Sequence, residues 1–81
     1  MKKSLIFYTM YSCPFCARVV QYLEEHGVEL EFRDILETPD YRQELIDLGG
    51  KAQVPCLSID NFPLYESEDI IMWLEDNYIA A

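Results

Sequence analysis

The stretch YSCPFCARVV, residues 11–20, sets Cys13 and Cys16 three positions apart, with Pro14 after the first and an apolar, helix-like run behind. Just before it, residues 5–8 form a short apolar run rich in β-forming side chains, typical of a buried strand. Proline suits the first position of a helix, so the sequence predicts that a helix begins at the cysteine pair itself. The fold prediction extends outward from this strand and helix.

Hydrophobic spacing predicts the next three elements. Helical spacing continues as far as Gly27, which is a typical helix end because glycine adopts positive φ easily. Residues 28–33 alternate apolar and charged side chains, which is typical of a strand with one wet face. A second helix is predicted to begin at Thr38-Pro39 and to end at Gly49-Gly50.

The last part of the chain predicts a hairpin and a third helix. Residues 54–59 and 62–65 flank Asp60-Asn61, which tolerate the left-handed backbone of a tight turn. Ser67 is predicted to cap the final helix, which has acidic residues in its first turn. The order βαβαββα predicts an α/β fold, a mixed four-stranded sheet flanked by three helices. A chain of 81 residues has room for one such domain, over residues 1–81.

Composition excludes some classes of partner. Six basic residues against 15 acidic ones give a net charge of -9, which repels nucleic-acid backbones and anionic lipid surfaces. We therefore expect no nucleic-acid or membrane partner. The first residues lack the pattern of a secretory signal and no apolar run approaches about 18 residues, so a cytoplasmic protein is expected.

The cysteine pair has three interpretations: half of a zinc site, a structural staple, or a redox pair. Zinc is a poor fit, because only Cys56 and His26 remain as further ligands and neither lies in a second paired motif, so no metal site is predicted. His26 is expected to end a helix, and Cys56 to fill the core as a small hydrophobe. A close pair in a reducing compartment favours chemistry over stapling.

The helix start divides the roles of the two thiols. Unpaired N–H groups and the positive end of the helix dipole point at the Cys13 sulfur, which favours its nucleophilic thiolate form. Cys16 lies one turn inside the helix and is expected to be shielded. It should therefore attack second, resolving a mixed disulfide formed on Cys13.

Three stretches carry a family resemblance: CPFC after the first strand, VPCLSID at the third, and YESEDI before the last helix. The chain resembles the glutaredoxins, within the thioredoxin fold, over residues 5–78. The resemblance implies a thiol–disulfide oxidoreductase with no bound cofactor and with glutathione as co-substrate. Its implied partners are glutathione and proteins that carry disulfides or glutathionyl groups.

The resemblance also implies site residues. Val54-Pro55 is expected to be a cis peptide facing the cysteines, with the Val54 backbone pairing with glutathione. Ser67 and the amides of the last helix suit the carboxylate of the γ-glutamyl end, and Glu66, Glu68 or Asp69 suits its ammonium. A further pair, Tyr11 and Phe15, is expected to flank the thiols and give apolar contact to substrate.

Two departures keep other functions open. Many glutaredoxins have a lysine where this chain has Met10, and Lys51 is the alternative partner for the glycyl carboxylate of glutathione. Glu66-Ser67 looks more like the N-terminal domain of glutathione transferases, although the second cysteine and the short chain favour a free-standing glutaredoxin. The alternatives are an iron–sulfur cluster carrier, which the stiff Pro14 disfavours, and a non-enzymatic, transferase-like glutathione-binding module.

Overall fold

The computed structural model describes residues 4–79 and confirms the predicted order of elements. The strands are β1 (Leu5–Thr9), β2 (Glu31–Asp34), β3 (Cys56–Ile59) and β4 (Phe62–Tyr65). The helices are α1 (Pro14–Glu25), α2 (Pro39–Gly49) and α3 (Ser67–Leu74), the last running into a π-helical turn at Glu75–Ile79. No helix within residues 4–79 combines the length and apolarity needed to cross a bilayer.

The four strands form one mixed sheet in the order β2-β1-β3-β4. β1 runs parallel to β2 and antiparallel to β3, and β3 runs antiparallel to β4. Tyr8 pairs with Cys56, which in turn pairs with Tyr65, and Thr9 pairs with Asp34. The carboxyl ends of β1, β2 and β4 therefore meet the amino end of β3 at one edge of the sheet.

The sheet separates two apolar layers, because successive side chains of a strand point to opposite faces. Phe7 packs with α1 and α3 in a layer of six buried residues: Phe7, Val19, Leu23, Leu57, Ile70 and Leu74. Its neighbour Tyr8 packs under α2 in the second layer, with Ile35, Leu45 and Cys56. Helical spacing predicts Trp73 and Tyr78 as core or core-edge residues. Trp73 packs against the first layer, whereas the Tyr78 side chain lies outside the described part of the chain.

The predicted helix ends and hairpin are confirmed. Pro14 is the first residue of α1, His26 closes that helix, and Gly27 follows with φ 65°. α2 starts after Thr38 and ends at Gly50, which has φ 83°. Asp60 and Asn61 adopt φ values of 51° and 69°, the left-handed conformation of a tight hairpin turn.

Three predicted boundaries are wrong. β2 begins at Glu31 rather than residue 28, because the Val28 N–H closes α1 by donating to the Leu23 carbonyl at 2.9 Å. β3 begins at Cys56 rather than residue 54, since Pro55 has no N–H to give to the ladder. Ser67 is the first residue of α3 rather than its cap, which is Glu66 at φ 72° and ψ 124°, and neither side chain caps the helix.

Candidate functional site

The strand register brings three loops to the same edge of the sheet. The cysteine motif follows β1, Val54-Pro55 precedes β3, and Glu66 follows β4. Because Tyr8, Cys56 and Tyr65 form one row across the strands, these three segments emerge side by side. The edge therefore gathers the cysteine pair, the proline loop and the start of α3.

Cys13 holds the position immediately before α1. Its backbone is extended, with φ −90° and ψ 120°, and its N–H donates to the Met10 carbonyl at 3.0 Å. The Cys13 Sγ accepts a hydrogen bond from the Cys16 N–H at 3.4 Å, so an unpaired amide of the first turn points at the sulfur. The Ala17 N–H donates to the Cys13 carbonyl at 3.0 Å and completes the turn. The helix start therefore holds this sulfur at its positive end.

The cysteines differ in accessibility, and all three are thiols here. Cys13 is half-buried, Cys16 is 1% exposed and Cys56 is 0% exposed. Burial raises the pKa of Cys16 to about 11, against the opposing effect of hydrogen bonds to the Met10 backbone and the Thr9 side chain. Burial also raises the pKa of Cys56 to about 11. At neutral pH both groups keep their protons, so Cys13 alone combines access to solvent with a helix start.

Val54-Pro55 is a cis peptide, as the resemblance implied. Pro55 is buried at the start of β3, while Val54 is half-buried and packs against the α2-side layer, as Met10 does. Met10, which stands where many glutaredoxins have a lysine, therefore serves as an apolar packing residue. Cys56, directly after the proline, packs against the same layer and fits its predicted core position.

A cleft between the start of α1 and the start of α3, here called the α3-side cleft, has a volume of about 300 Å³. It brings together three predicted site residues, because its lining consists of Phe15, Arg18, Glu66, Ser67, Glu68 and Asp69. Ser67 is 6% exposed, and Arg18 reaches Glu68 across 3.6 Å. The amino end of α3 contributes free N–H groups to this cleft. It therefore presents hydrogen-bond donors and carboxylates together.

Two other predicted site residues lie outside that cleft. The Lys51 ammonium sits 4.5 Å from the centre of the Tyr65 ring, a cation–π contact that holds it near the end of β4. Tyr11 is 88% exposed and lines a different cleft. Lys51 lines neither of the two clefts, and the same is true of Val54 and Pro55.

The second cleft, here called the β2-side cleft, has a volume of about 530 Å³. It is lined by Thr9, Met10, Tyr11, Ala17, Val20, Phe32, Asp34, Glu37, Thr38 and Tyr41. Its walls come from the end of β1, from α1, from β2 and from the start of α2. It is the larger of the two clefts that flank the cysteines.

Sequence reasoning missed Asp34 and Gln53. The Asp34 carboxylate accepts hydrogen bonds from the N–H groups of Tyr11 at 3.2 Å, Leu36 at 2.8 Å and Glu37 at 3.1 Å, so it ties the cysteine loop to the chain after β2. An aspartate ending a strand is a known turn signal and points to part of this role. Gln53 Nε2 donates to Glu66 Oε1 at 3.3 Å, and only the fold reveals this contact.

A family model for glutaredoxin matches residues 5–62. The chain belongs to the glutaredoxin family. It is 31% identical over 71 residues to glutaredoxin 1 of Rickettsia prowazekii, an alignment that covers 83% of this chain and 73% of that relative. The family supports, in general terms, a glutathione-dependent thiol oxidoreductase.

Solved structures with the same architecture include members of two families. Glutathione transferase Omega 3C from Trametes versicolor is 26% identical with a TM-score of 0.79, covering 96% of this glutaredoxin-family chain but 35% of the transferase. The buckwheat glutaredoxin–glutathione complex is 16% identical with a TM-score of 0.73, covering 96% of this chain and 74% of that one. At 16% identity the likeness shows the fold alone. The thioredoxin-like fold expected from the sequence is confirmed.

Proposed function

We propose that this protein is a glutathione-dependent thiol–disulfide oxidoreductase that reduces protein–glutathione mixed disulfides and protein disulfides. One observation carries the proposal: the half-buried Cys13 Sγ receives the Cys16 N–H at 3.4 Å at a helix start, while the second thiol lies buried one turn behind. An amide directed at sulfur stabilises the thiolate, which is the attacking species in disulfide exchange. The buried partner keeps its proton until the first sulfur has reacted.

The proposed one-thiol route needs only the first cysteine. The Cys13 thiolate attacks the glutathionyl sulfur of a mixed disulfide, forming a Cys13–glutathione disulfide, and the protein thiolate leaves and takes up a proton. A second glutathione thiolate then attacks the glutathionyl sulfur on Cys13. This step releases glutathione disulfide and regenerates the Cys13 thiolate. One free glutathione is consumed: its thiol is oxidised as it joins the glutathionyl group in one disulfide, while the sulfur of the protein substrate is reduced to a thiol.

The proposed two-thiol route reduces a protein disulfide. Cys13 attacks one sulfur and releases the other as a thiol, leaving a mixed disulfide with the substrate protein. Cys16 then loses its proton and attacks Cys13 Sγ, which expels the second substrate thiol and forms the Cys13–Cys16 disulfide. Two glutathione molecules restore the dithiol. The 3.4 Å contact between the Cys16 N–H and Cys13 Sγ supports closure without movement of the fold.

We assign glutathione to the α3-side cleft. The Ser67 hydroxyl and the amides at the start of α3 suit its γ-glutamyl carboxylate, and Glu66 suits its ammonium. The Val54 backbone is proposed to pair with the cysteinyl backbone of glutathione, and Phe15 to give apolar contact. Lys51 is the proposed partner of the glycyl carboxylate, from its position over the Tyr65 ring. Tyr11 is proposed to contact the rest of the substrate from the other flank.

Two single variants test this function. Cys13→Ser should abolish turnover of a glutathionylated peptide in a glutathione-coupled assay, because serine is a poor nucleophile toward sulfur. Cys16→Ser should keep deglutathionylation and lose reduction of a protein disulfide. Cys56→Ser is the matched control for loss of a thiol outside the pair and should leave both reactions within about twofold. If Cys16→Ser silenced both reactions, the assigned division of labour would be wrong.

The transferase-like alternative is supported by the 26% identity to glutathione transferase Omega 3C and by the buried Ser67 after Glu66. A module that only binds glutathione would bind it equally well with or without the cysteines and would turn over no disulfide. Calorimetric titration of glutathione into Cys13→Ser, alongside the activity assay on the unaltered protein, separates the two functions. Retained binding with no disulfide turnover by the unaltered protein would favour the binding module.

A further inference from the structure

The β2-side cleft lies on the flank of Cys13 that the proposed glutathione site leaves open. Each residue of an α-helix advances about 100° around its axis. Phe15 and Arg18, one turn apart, line the α3-side cleft, whereas Ala17 and Val20, also one turn apart, line the β2-side cleft. These two pairs therefore lie on nearly opposite flanks of α1. The cysteine motif contributes Tyr11 to the β2-side cleft and Phe15 to the α3-side cleft, on either side of Cys13 in the sequence.

The β2-side cleft has a mixed apolar and acidic lining. Met10, Val20, Phe32 and Tyr41 provide its apolar wall, and Phe32 is 45% exposed there. The carboxylates come from Asp34, fixed by three backbone N–H groups, and from Glu37, an exposed residue on the same chain turn.

The described residues that line the β2-side cleft include no lysine or arginine. Neighbouring Arg33 lies 2.6 Å from each of Glu31 and Glu44, and its guanidinium also lies 5.4 Å from the centre of the ring of Tyr41, a lining residue. Neither Asp34 nor Glu37 has an ion-pair partner among the described residues. Arg18 lies on the other flank of α1, against Glu68. The negative charge of the β2-side cleft is therefore open to a ligand.

We propose that the β2-side cleft binds the polypeptide half of the substrate disulfide and favours segments that carry a lysine or arginine and an apolar side chain beside the reacting cysteine. This proposal rests on the proposed function and names the substrate class for the same cysteine. Charge complementarity supports a basic polypeptide segment as the ligand of this cleft. An acidic, apolar-walled cleft on a protein of net charge -9 attracts a basic segment and repels an acidic one.

The proposed reaction is consistent with separate clefts for glutathione and for the polypeptide. A mixed disulfide has a glutathionyl half and a polypeptide half joined at the bond that breaks. When the Cys13 thiolate attacks the glutathionyl sulfur, the polypeptide thiolate departs and is protonated, while the glutathionyl group stays on Cys13. With the glutathionyl group in the α3-side cleft and the polypeptide in the β2-side cleft, the two halves separate onto different surfaces. The second glutathione then attacks the glutathionyl sulfur from the side that the polypeptide thiolate has left.

The test uses synthetic glutathionylated peptides that differ only in the residue next to the cysteine, which is lysine, glutamine or glutamate. At low salt, kcat/KM should be about tenfold higher for the lysine peptide than for the glutamate peptide, because the carboxylates of the cleft attract the lysine and repel the glutamate; tenfold corresponds to about 1.4 kcal/mol. The ratio should fall toward unity at high salt. In a peptide that also has a leucine beside the cysteine, replacing that leucine by serine should raise KM, because the apolar wall of the cleft loses its contact.

Reversing the charge of Glu37 tests whether the preference for basic peptides comes from the β2-side cleft. Glu37→Lys should reduce the ratio between the lysine and glutamate peptides at least fivefold or invert it. The matched control Glu29→Lys makes the same charge change at the opposite end of β2 and should keep the ratio within twofold. The Glu29→Lys control should also turn over a small mixed disulfide of glutathione and 2-mercaptoethanol at the unaltered rate, because Glu29 lines neither cleft.

Each outcome has a separate meaning. Equal kcat/KM for all peptides at low salt, or an unchanged ratio in Glu37→Lys, overturns the proposed cleft while leaving the oxidoreductase intact. A change in the KM for glutathione in Glu37→Lys, without a change in peptide preference, would instead assign the cleft to glutathione. Failure of the unaltered protein to turn over the small mixed disulfide would overturn the proposed function, and this proposal with it.

Discussion

The Cys16 N–H points at the Cys13 sulfur across 3.4 Å, so the two cysteines interact before any bond forms between them. The contact joins the backbone of one residue to the side chain of the other, and it therefore survives substitution of the Cys16 side chain. The Cys16 thiol itself is 1% exposed. Access and amide donation favour the first cysteine, whereas the second is kept protonated by burial.

Alkylation should distinguish the three thiols in the native protein. At pH 7.5, iodoacetamide should modify Cys13 at least 100-fold faster than Cys16 or Cys56, because burial raises the pKa of both other thiols to about 11 and closes access to them. Mass spectrometry of peptides after timed quenching measures the three rates. In urea the rates should converge. Native rates within tenfold of each other would contradict the buried positions.

Stability should fall in alkali, and Cys56 should account for part of the fall. Burial raises its pKa from 9.0 to about 11 in the folded protein, so the unfolded chain loses its proton first as pH rises. This contribution to folding is fully present below about pH 9 and declines toward pH 11, by roughly 2–3 kcal/mol in all. Urea unfolding of the unaltered protein and of Cys56→Ala at several pH values should show a shallower decline in the variant. If the unfolding free energy of both proteins declined equally with pH, Cys56 would not be a source of the decline.

Gly49 and Tyr65 should be coupled. A Cβ at Gly49 would overlap the Tyr65 hydroxyl, which is buried and has no hydrogen-bond partner among the described residues. Gly49→Ala should cost about 1–3 kcal/mol of unfolding free energy by overpacking. Tyr65→Phe alone should be nearly neutral, since it removes an unpaired polar group.

A double-mutant cycle measures this coupling. In the Tyr65→Phe background, Gly49→Ala should cost less, because the hydroxyl is the nearest atom to the new methyl group. Denaturant unfolding of the four proteins gives the interaction energy. If Gly49→Ala cost the same unfolding free energy in both backgrounds, the close approach of the Tyr65 hydroxyl to Gly49 would be contradicted.

Asp34 should protect the loop before the cysteines. Asp34→Ala removes the acceptor of three backbone N–H groups, those of Tyr11, Leu36 and Glu37. Their hydrogen exchange should become at least tenfold faster, while amides in the middle of α1 should change little. Asp34→Asn, which keeps one carbonyl oxygen, should have an intermediate effect. Unchanged protection at these three amides would contradict an anchoring role.

Much of the fold follows from local sequence. The position of Pro14, the glycines after α1 and α2, and the Asp60-Asn61 turn each determine backbone conformation within a few residues, and all are confirmed. Family resemblance supplied the cis peptide before Pro55, which local patterning does not indicate.

The errors occur where the use of a backbone group depends on how two consecutive elements meet, or on a contact between distant parts of the chain. Val28 has the alternation of a strand, but its N–H is used to close α1, so the ladder starts later. Ser67 is a preferred capping residue, yet the chain leaves β4 through the positive φ of Glu66 and puts the serine inside the helix. The hydrogen bonds of Asp34 to Tyr11 and of Gln53 to Glu66 join residues that only the sheet topology brings together.

Pro63 gives β4 a consequence for self-association. β4 is an outer strand of the sheet, and Pro63 pairs with Ser58 in its ladder. A proline is tolerated in an outer strand where its nitrogen faces away from the neighbouring strand. The outer rim of β4 therefore lacks one donor in the middle of a four-residue strand, which leaves a poor template for a further strand. At high protein concentration, copies of this chain should therefore resist forming fibrils by strand pairing through β4.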